Sequence, residues 1–232
     1  MKRFYKDAAC VPVDNGFAIH LDGRPIKTPA RNPLDLPTLR LAEAIAEEWR
    51  AQDDDIDPTT MPLTALAQGA LDQVALERDR IIGRIAAFSD SDMLYYRGDE
   101  NQQALADHQA EKWDPLLDWA RQRYDVSFTL TRGIIHKGQP KQTISRLSVV
   151  VEGQDDFTIA AMLSLVGLAG SLVAILALVE GVYDADTLWP LMNLEELWQE
   201  QQWGRDDLAL QTREIRQAEF LAAVRFLDLS RS

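Results

Sequence analysis

Residues Ile159–Val179 read IAAMLSLVGLAGSLVAILALV, 21 residues without a charge. As one helix the run would span roughly 31 Å, enough for a bilayer core that takes about 20 apolar residues. The chain must therefore either cross a membrane or supply enough protein to enclose this segment. Its flanks favour enclosure. No Lys or Arg occurs between Leu147 and Gly204, so the basic anchor that orients a span is missing. Asp155 and Asp156 precede the run, and Glu180, Asp184 and Asp186 follow it. Nine of its 21 residues are Ala, Gly or Ser, which contribute little to insertion. Ala160, Ser164, Gly167, Ser171 and Ala174 step by four and three, a seam of small residues against which a neighbouring helix can lie close. A helix apolar all round needs lipid or other helices about it, so the expectation is a buried central helix.

The remaining sequence can supply that enclosure. Val11 and Val13, then Phe17, Ile19 and Leu21, alternate as half-buried strands, with turn signals at Asn15-Gly16 and Asp22-Gly23. From Leu39 the period lengthens. Leu39, Ala42, Ile45, Ala46 and Trp49 share a helix face with Glu43, Glu47 and Glu48 outside, and the acidic loop through Asp57-Pro58 ends it. Beyond that point the chain reads as helical. One helix is expected over 102–124 with an interruption at Asp114-Pro115, and further long ones over about 155–180, 185–203 and 205–229, separated by Gly181 and Gly204. Val126–Leu130 is expected as a short strand. The fold class expected is α+β: a small antiparallel β-containing N-terminal domain over 1–58, then a larger all-α helical domain over 59–232 around the buried central helix.

Several chemistries are excluded or unsupported. The 232 residues carry 24 basic and 37 acidic side chains, a net charge of −13, which repels nucleic acid and anionic lipid. Cys10 is the only cysteine, so there is no intramolecular disulfide and no thiolate metal cage. The basic start MKRFYKDAAC lacks the apolar stretch of a secretory signal. No P-loop, dinucleotide fingerprint or nucleophile elbow occurs. His20, His108 and His136 are dispersed, and Glu195 and Glu196, adjacent on a helix, point about 100° apart. No cofactor and no metal are expected.

Two stretches carry residues unusual for packing alone. In LEELWQEQQWGRDD, Leu194–Asp207, Glu196, Gln199 and Trp203 fall on one helix face, Gly204 stops the helix, and Asp206 or Asp207 can cap the next. One reading is a capped corner with a half-buried tryptophan; the other is a binding face, an aromatic anchor flanked by a charge and a hydrogen-bonding amide. The same mixture recurs where Tyr96-Arg97 precede Gln109 and Trp113, one helical turn apart. There too, core packing and partner binding both stand open.

At these residues the chain resembles the ATP synthase F₁ assembly chaperones, in particular the family whose mitochondrial members attend the α subunit, here as a bacterial-type member. RFYK, GFAIHLDGRPIKTPA, LAEAIAEEWRAQ, IDPTTMPLTALA, Tyr96-Arg97 with Gln109 and WDPLLDW, GSLVAILAL and EELWQEQQWGRD occur in the family's order along nearly the whole chain. The chain departs at Gln68-Gly69, where the pattern has Asn-Thr, and at Leu208, where an acidic residue is usual. The resemblance implies a chaperone without catalysis, monomeric when free, cytoplasmic (in the mitochondrial matrix for eukaryotic relatives), with no membrane insertion. Its partner would be the unassembled α subunit, later released to the β subunit. The partner-binding residues it implies are Glu196, Gln199, Trp203, Asp206, Gln109, Trp113 and Arg97. Two alternatives from other classes are a metal-free hydrolase using Glu196 and a single-span membrane protein.

Overall fold

A computed structural model describes residues 1–231. Its strands are β1 (Ala8–Val13), β2 (Gly16–Leu21), β3 (Arg24–Pro25), β4 (Asp35–Leu36), β5 (Tyr96–Arg97) and β6 (Thr131–Arg132). Its helices are α1 (Leu39–Arg50), α2 (Pro62–Gly69), α3 (Ala75–Ala86), α4 (Phe88–Ser91), α5 (Gln103–Tyr124) and α6 (Lys141–Glu152). They continue with α7 (Asp156–Ala169), α8 (Leu172–Val179), α9 (Ala185–Met192), α10 (Leu194–Trp203) and α11 (Asp207–Ser230). A small antiparallel sheet followed by helices is the α+β class expected. The chain divides into two compact units: Met1–Ile81 with Asp155–Ala161 and the stretch from Glu219 onward, and Ile82–Gln154 with Met162–Ala218.

In the first unit β1 and β2 form a hairpin in which Val13 pairs with Gly16 and Ala8 with Leu21. The turn residues are thus Asp14 and Asn15, one position earlier than Asn15-Gly16. Gly16 opens β2 because β4 crosses it closely: a Cβ there would lie 2.2 Å from Leu36 O, at φ +135°. Asp22 (φ 49°) and Gly23 (φ 78°) turn the chain into β3 with Leu21 paired to Arg24, the twist-matched two-residue turn. Thr38 caps α1, its hydroxyl oxygen accepting from Leu41 N–H (3.1 Å). Leu41, Ala42, Ile45 and Ala46 are fully buried, whereas Leu39, expected on that face, stays exposed. The Glu48 carboxylate accepts from the N–H groups of Leu63 and Thr64 (2.8 Å each) and so closes the N-terminus of α2. Its burial pushes the carboxyl up, against the pull of these hydrogen bonds.

The second unit contains α8, whose residues Leu172–Ala177 are all wholly buried. The uncharged run is not one helix. α7 ends at Ala169, Gly170 takes φ +66°, and Ser171 caps α8 by accepting from Ala174 N–H (3.0 Å). The small-residue seam is thereby broken at Ser171. At 1.5 Å per residue the eight residues of α8 cover only about 12 Å, and no helix among the described residues is long and apolar enough to cross a membrane. The break is fixed by Asp92. Its fully buried carboxylate accepts from Ser171 Oγ and Val173 N (3.0 Å each) and from Leu94 N (3.0 Å). Burial pushes the Asp92 carboxyl up to about 6, while hydrogen bonds from Val173, Leu94, Ser171 and Leu172 pull the other way.

Three further boundaries differ from expectation. α5 continues through Pro115, which lies on the exposed side, where the Glu111 carbonyl freed by the missing N–H can meet water. The helix expected over 185–203 is two, α9 and α10, parted at Asn193, whose Nδ2 donates to Trp189 O (2.8 Å). The short strand is Thr131–Arg132 rather than 126–130, paired in parallel with Tyr96–Arg97.

Candidate functional site: the α10–α11 hairpin

Gly204, at φ +88°, ends α10 and donates its N–H to Glu200 O (3.0 Å). Asp206 caps α11, its carboxylate accepting from Leu208 N (2.9 Å) and Ala209 N (3.2 Å). The two helices are joined by a ladder of opposite charges. Arg216 Nη2 donates to Glu196 Oε1 (2.6 Å) and Arg213 Nη2 to Glu200 Oε2 (2.6 Å). Arg213 Nη1 also stands 3.8 Å from Glu196 Oε2, and Arg216 Nη2 reaches Asn193 Oδ1 (3.1 Å). Advancing four residues on α10 corresponds to retreating three on α11, which is the register of antiparallel helices one turn apart. The Arg213 side chain is only 11% exposed, so its pairing is more than a surface contact.

The expected face separates into a held part and a free part. Glu196 is half-buried and engaged by both arginines; Gln199 is exposed; Trp203 is 78% exposed. The tryptophan is therefore not the half-buried corner residue that packing alone would need. Leu208 and Ile215, two turns apart on α11, are also exposed. Trp203, Leu208 and Ile215 thus place apolar side chains in water on a hairpin whose ladder charges, Glu196, Glu200, Arg213 and Arg216, are mutually engaged.

The other expected partner residues lie inside the second unit. Gln109 and Trp113 are wholly buried. Gln109 Oε1 accepts from Gly98 N (2.7 Å), and its Nε2 donates to Glu195 Oε1 (2.7 Å). Trp113 Nε1 donates to Leu191 O (2.9 Å). Arg97 lies with its guanidinium 5.3 Å from the Trp113 ring centroid and donates to Asp114 Oδ1 (2.7 Å). Arg97 also donates to the Leu94 and Tyr96 carbonyls. On α5 and α10, His108 and Trp198 put their rings 5.2 Å apart. Gln109 accordingly braces the start of α10 and Trp113 the end of α9 from behind, both wholly buried, while Arg97 holds Asp114 and the Trp113 ring beside them. Glu195 and Glu196 serve different sides of α10, one toward Gln109 and one toward α11, in keeping with their 100° separation. Arg213, Arg216 and Asn193 are members of this site that the motif reading missed. The signal available was the acid pair at spacing four, mirrored across Gly204 by a basic pair at spacing three.

Among the described residues no group of three or more His, Cys, Asp or Glu is placed to hold a metal ion.

Comparison with known proteins agrees with this architecture. The family model described as ATP12 chaperone protein matches residues 2–121. The mitochondrial protein atp12 of Schizosaccharomyces pombe is 26% identical over 214 residues, covering 88% of this chain and 74% of that protein. The crystal structure of Atp12 from Paracoccus denitrificans superposes with a TM-score of 0.93 at 38% identity, over 99% of this chain and 98% of that one. A structure from Agrobacterium tumefaciens superposes with a TM-score of 0.92 at 37% identity, over 98% of this chain and 85% of that one. The family model stops short of the α10–α11 hairpin, but the structural likeness spans it. With more than half its length matched and its fold shared end to end, the chain belongs to the ATP12 chaperone family, the ATP synthase assembly chaperones its motifs resemble.

Proposed function

We propose that the chain binds the unassembled α subunit of the ATP synthase F₁ sector and hands it to the β subunit, and that it does so without catalysis. The α10–α11 hairpin is the contact face, with Trp203 as its anchor. The observation that carries this reading is the 78% exposure of Trp203 on a hairpin braced by an ionic ladder. A large aromatic left in water on a fixed scaffold is the ordinary form of a binding hot spot before its partner arrives. Leu208 and Ile215 extend the apolar area, and Gln199 supplies a donor and acceptor at its edge. Glu196 takes a modified role. Its oxygens are held by Arg213 and Arg216, so a basic group of the client meets a carboxylate already shared with two guanidinium groups, which keeps the contact modest. That suits a chaperone whose client must leave: a lone α subunit exposes the surface meant for β, and its cover has to bind less tightly than β does. Asp206 shapes the turn beneath Trp203, and Gln109, Trp113 and Arg97 act from behind α9 and α10.

A photo-crosslinking residue at Gln199 tests the assignment in the chain's own host. Adducts containing the α subunit are expected, and the same residue at an exposed site remote in sequence, such as Lys141, should give none. Adducts with other proteins in place of α would reject the client.

A further inference from the structure

RFYK, the DGRPIK turn and the end of α1 take no part in the α10–α11 hairpin. Within the first unit they line one cleft. Phe4, Tyr5, Ile26 and Trp49, with Arg24 and Lys27, border an open cavity of about 600 Å³. Phe4, Tyr5 and Trp49 form an edge-to-face ladder with ring centroids 5.4 and 5.7 Å apart. The Tyr5 hydroxyl donates to Trp49 O (2.6 Å), and Tyr5 and Leu21 belong to a buried cluster with Ile56 and Met61, so the floor is fixed. Above it Phe4 remains 66% exposed and Met1 74%. Trp49, at the cleft wall, also keeps its indole N–H out of water without an acceptor.

The N-terminal segment is basic in an acidic protein, and Arg24 and Lys27 line the cleft. Lys2, Arg3, Lys6, Arg24, Lys27 and Arg31 outnumber Asp7, Asp14 and Asp22 within the first 31 residues of a chain whose net charge is −13. Lys2 is paired with Asp55, and Arg3 donates to the carbonyls of Tyr5, Gln52 and Lys6. Asp22, the one acid at the cleft, accepts from the N–H groups of Lys6 and Asp7, which hold its carboxyl below the usual range. Arg24 and Lys27 are exposed and, among the described residues, have no carboxylate within ion-pair distance.

We propose that this cleft docks an acidic segment of a partner protein, with an apolar side chain seated on the Phe4–Tyr5–Trp49 ladder and flanking carboxylates facing Arg24 and Lys27. Complementary charge selects the acid, and the aromatic wall selects the apolar side chain. A concave site of this size takes a side chain or two of an extended peptide. A bilayer would need a protruding apolar tip and would be repelled by the net charge of the chain. This site belongs to the N-terminal unit and does not rest on the α10–α11 reading.

The test uses the full chain, ¹⁵N-labelled, titrated with a synthetic peptide alternating Asp or Glu with Leu or Phe. A control peptide of the same apolar pattern carries Lys in place of the acids. Saturable shifts are expected at the Trp49 indole N–H and at the amides of Phe4, Ile26 and Lys27. The exposed double variant Arg24→Glu, Lys27→Glu should keep the wild-type melting curve and weaken binding at least about tenfold, the scale of removing complementary charge at a docking site. The proposal is overturned if the acidic peptide produces no shifts, if the lysine peptide produces the same ones, or if they survive the charge reversal. It is equally overturned if phosphatidylglycerol vesicles bind through Arg24 and Lys27 while the peptide does not, or if the same signals shift with protein concentration alone, which would assign the cleft to a second copy.

Discussion

Replacing Trp203 by alanine separates folding from binding more cleanly than any other change at the hairpin. The indole is 78% exposed, so only about a fifth of its surface is buried in the free chain. At roughly 25 cal/mol per Å², on a side chain of about 250 Å², truncation costs stability about 1.4 kcal/mol at most. The exposed four-fifths are what a client can cover. Truncating a central aromatic of a protein interface typically loses about 2–4 kcal/mol of binding, roughly a thirty- to thousandfold rise in Kd. Urea denaturation should therefore show a midpoint close to wild type, while titration calorimetry with isolated α subunit should show binding weakened at least about thirtyfold. A Kd within about threefold of wild type in a variant that unfolds normally would refute the assignment of Trp203 as anchor. Glu196→Gln is less clean, because it also unpairs Arg216 and removes the second carboxylate beside Arg213.

Three further outcomes follow from the geometry. Glu200→Gln leaves the 11%-exposed Arg213 with only Glu196 at 3.8 Å, and should lower stability by about 1–2 kcal/mol in urea melts; the charge-swapped double variant Glu200→Arg, Arg213→Glu should recover part of that loss, and strictly additive costs would remove the ladder from the account. Asp92 titrates near 6 when folded and lower when unfolded, so the native chain takes up a proton that the unfolded chain does not as pH falls through 6. Its share of stability therefore rises on acidification, and the stability of wild type relative to Asp92→Asn should gain about 2 kcal/mol between pH 7 and 4.5, whereas a gap independent of pH would contradict the burial argument. Gly16→Ala forces a Cβ to within 2.2 Å of Leu36 O at a positive φ and should cost at least about 2 kcal/mol, read as a lowered melting temperature.

Much of this molecule is legible in its sequence, and the exceptions share a cause. The strands around Asp22-Gly23 and the helix from Leu39 follow local periodicity and turn chemistry, which neighbouring residues decide. The break at Gly170 does not. Gly167 and Gly170 look alike in the run, yet only Gly170 turns, because Asp92, 79 residues before Ser171, supplies the acceptor that caps α8. Pro115 likewise reads as a helix breaker until its position on the exposed side of α5 is known. At the candidate site the motifs mark Gln109, Trp113 and Trp203 equally. Burial distinguishes them: the first two support α10 and α9 from behind, and the last faces solvent. The pairing of Arg213 and Arg216 with Glu200 and Glu196 depends on how two helices meet across Gly204, which periodicity within either helix cannot state.

On the proposed reading the α10–α11 hairpin covers a surface of the α subunit that β later occupies. Size-exclusion chromatography of the purified chain with isolated α subunit, with assembled F₁, and with α plus excess β tests it directly. A one-to-one complex with α alone, none with F₁, and release of the chain on adding β is the predicted pattern. Co-elution with intact F₁, or a complex with α that β does not dissolve, would contradict it.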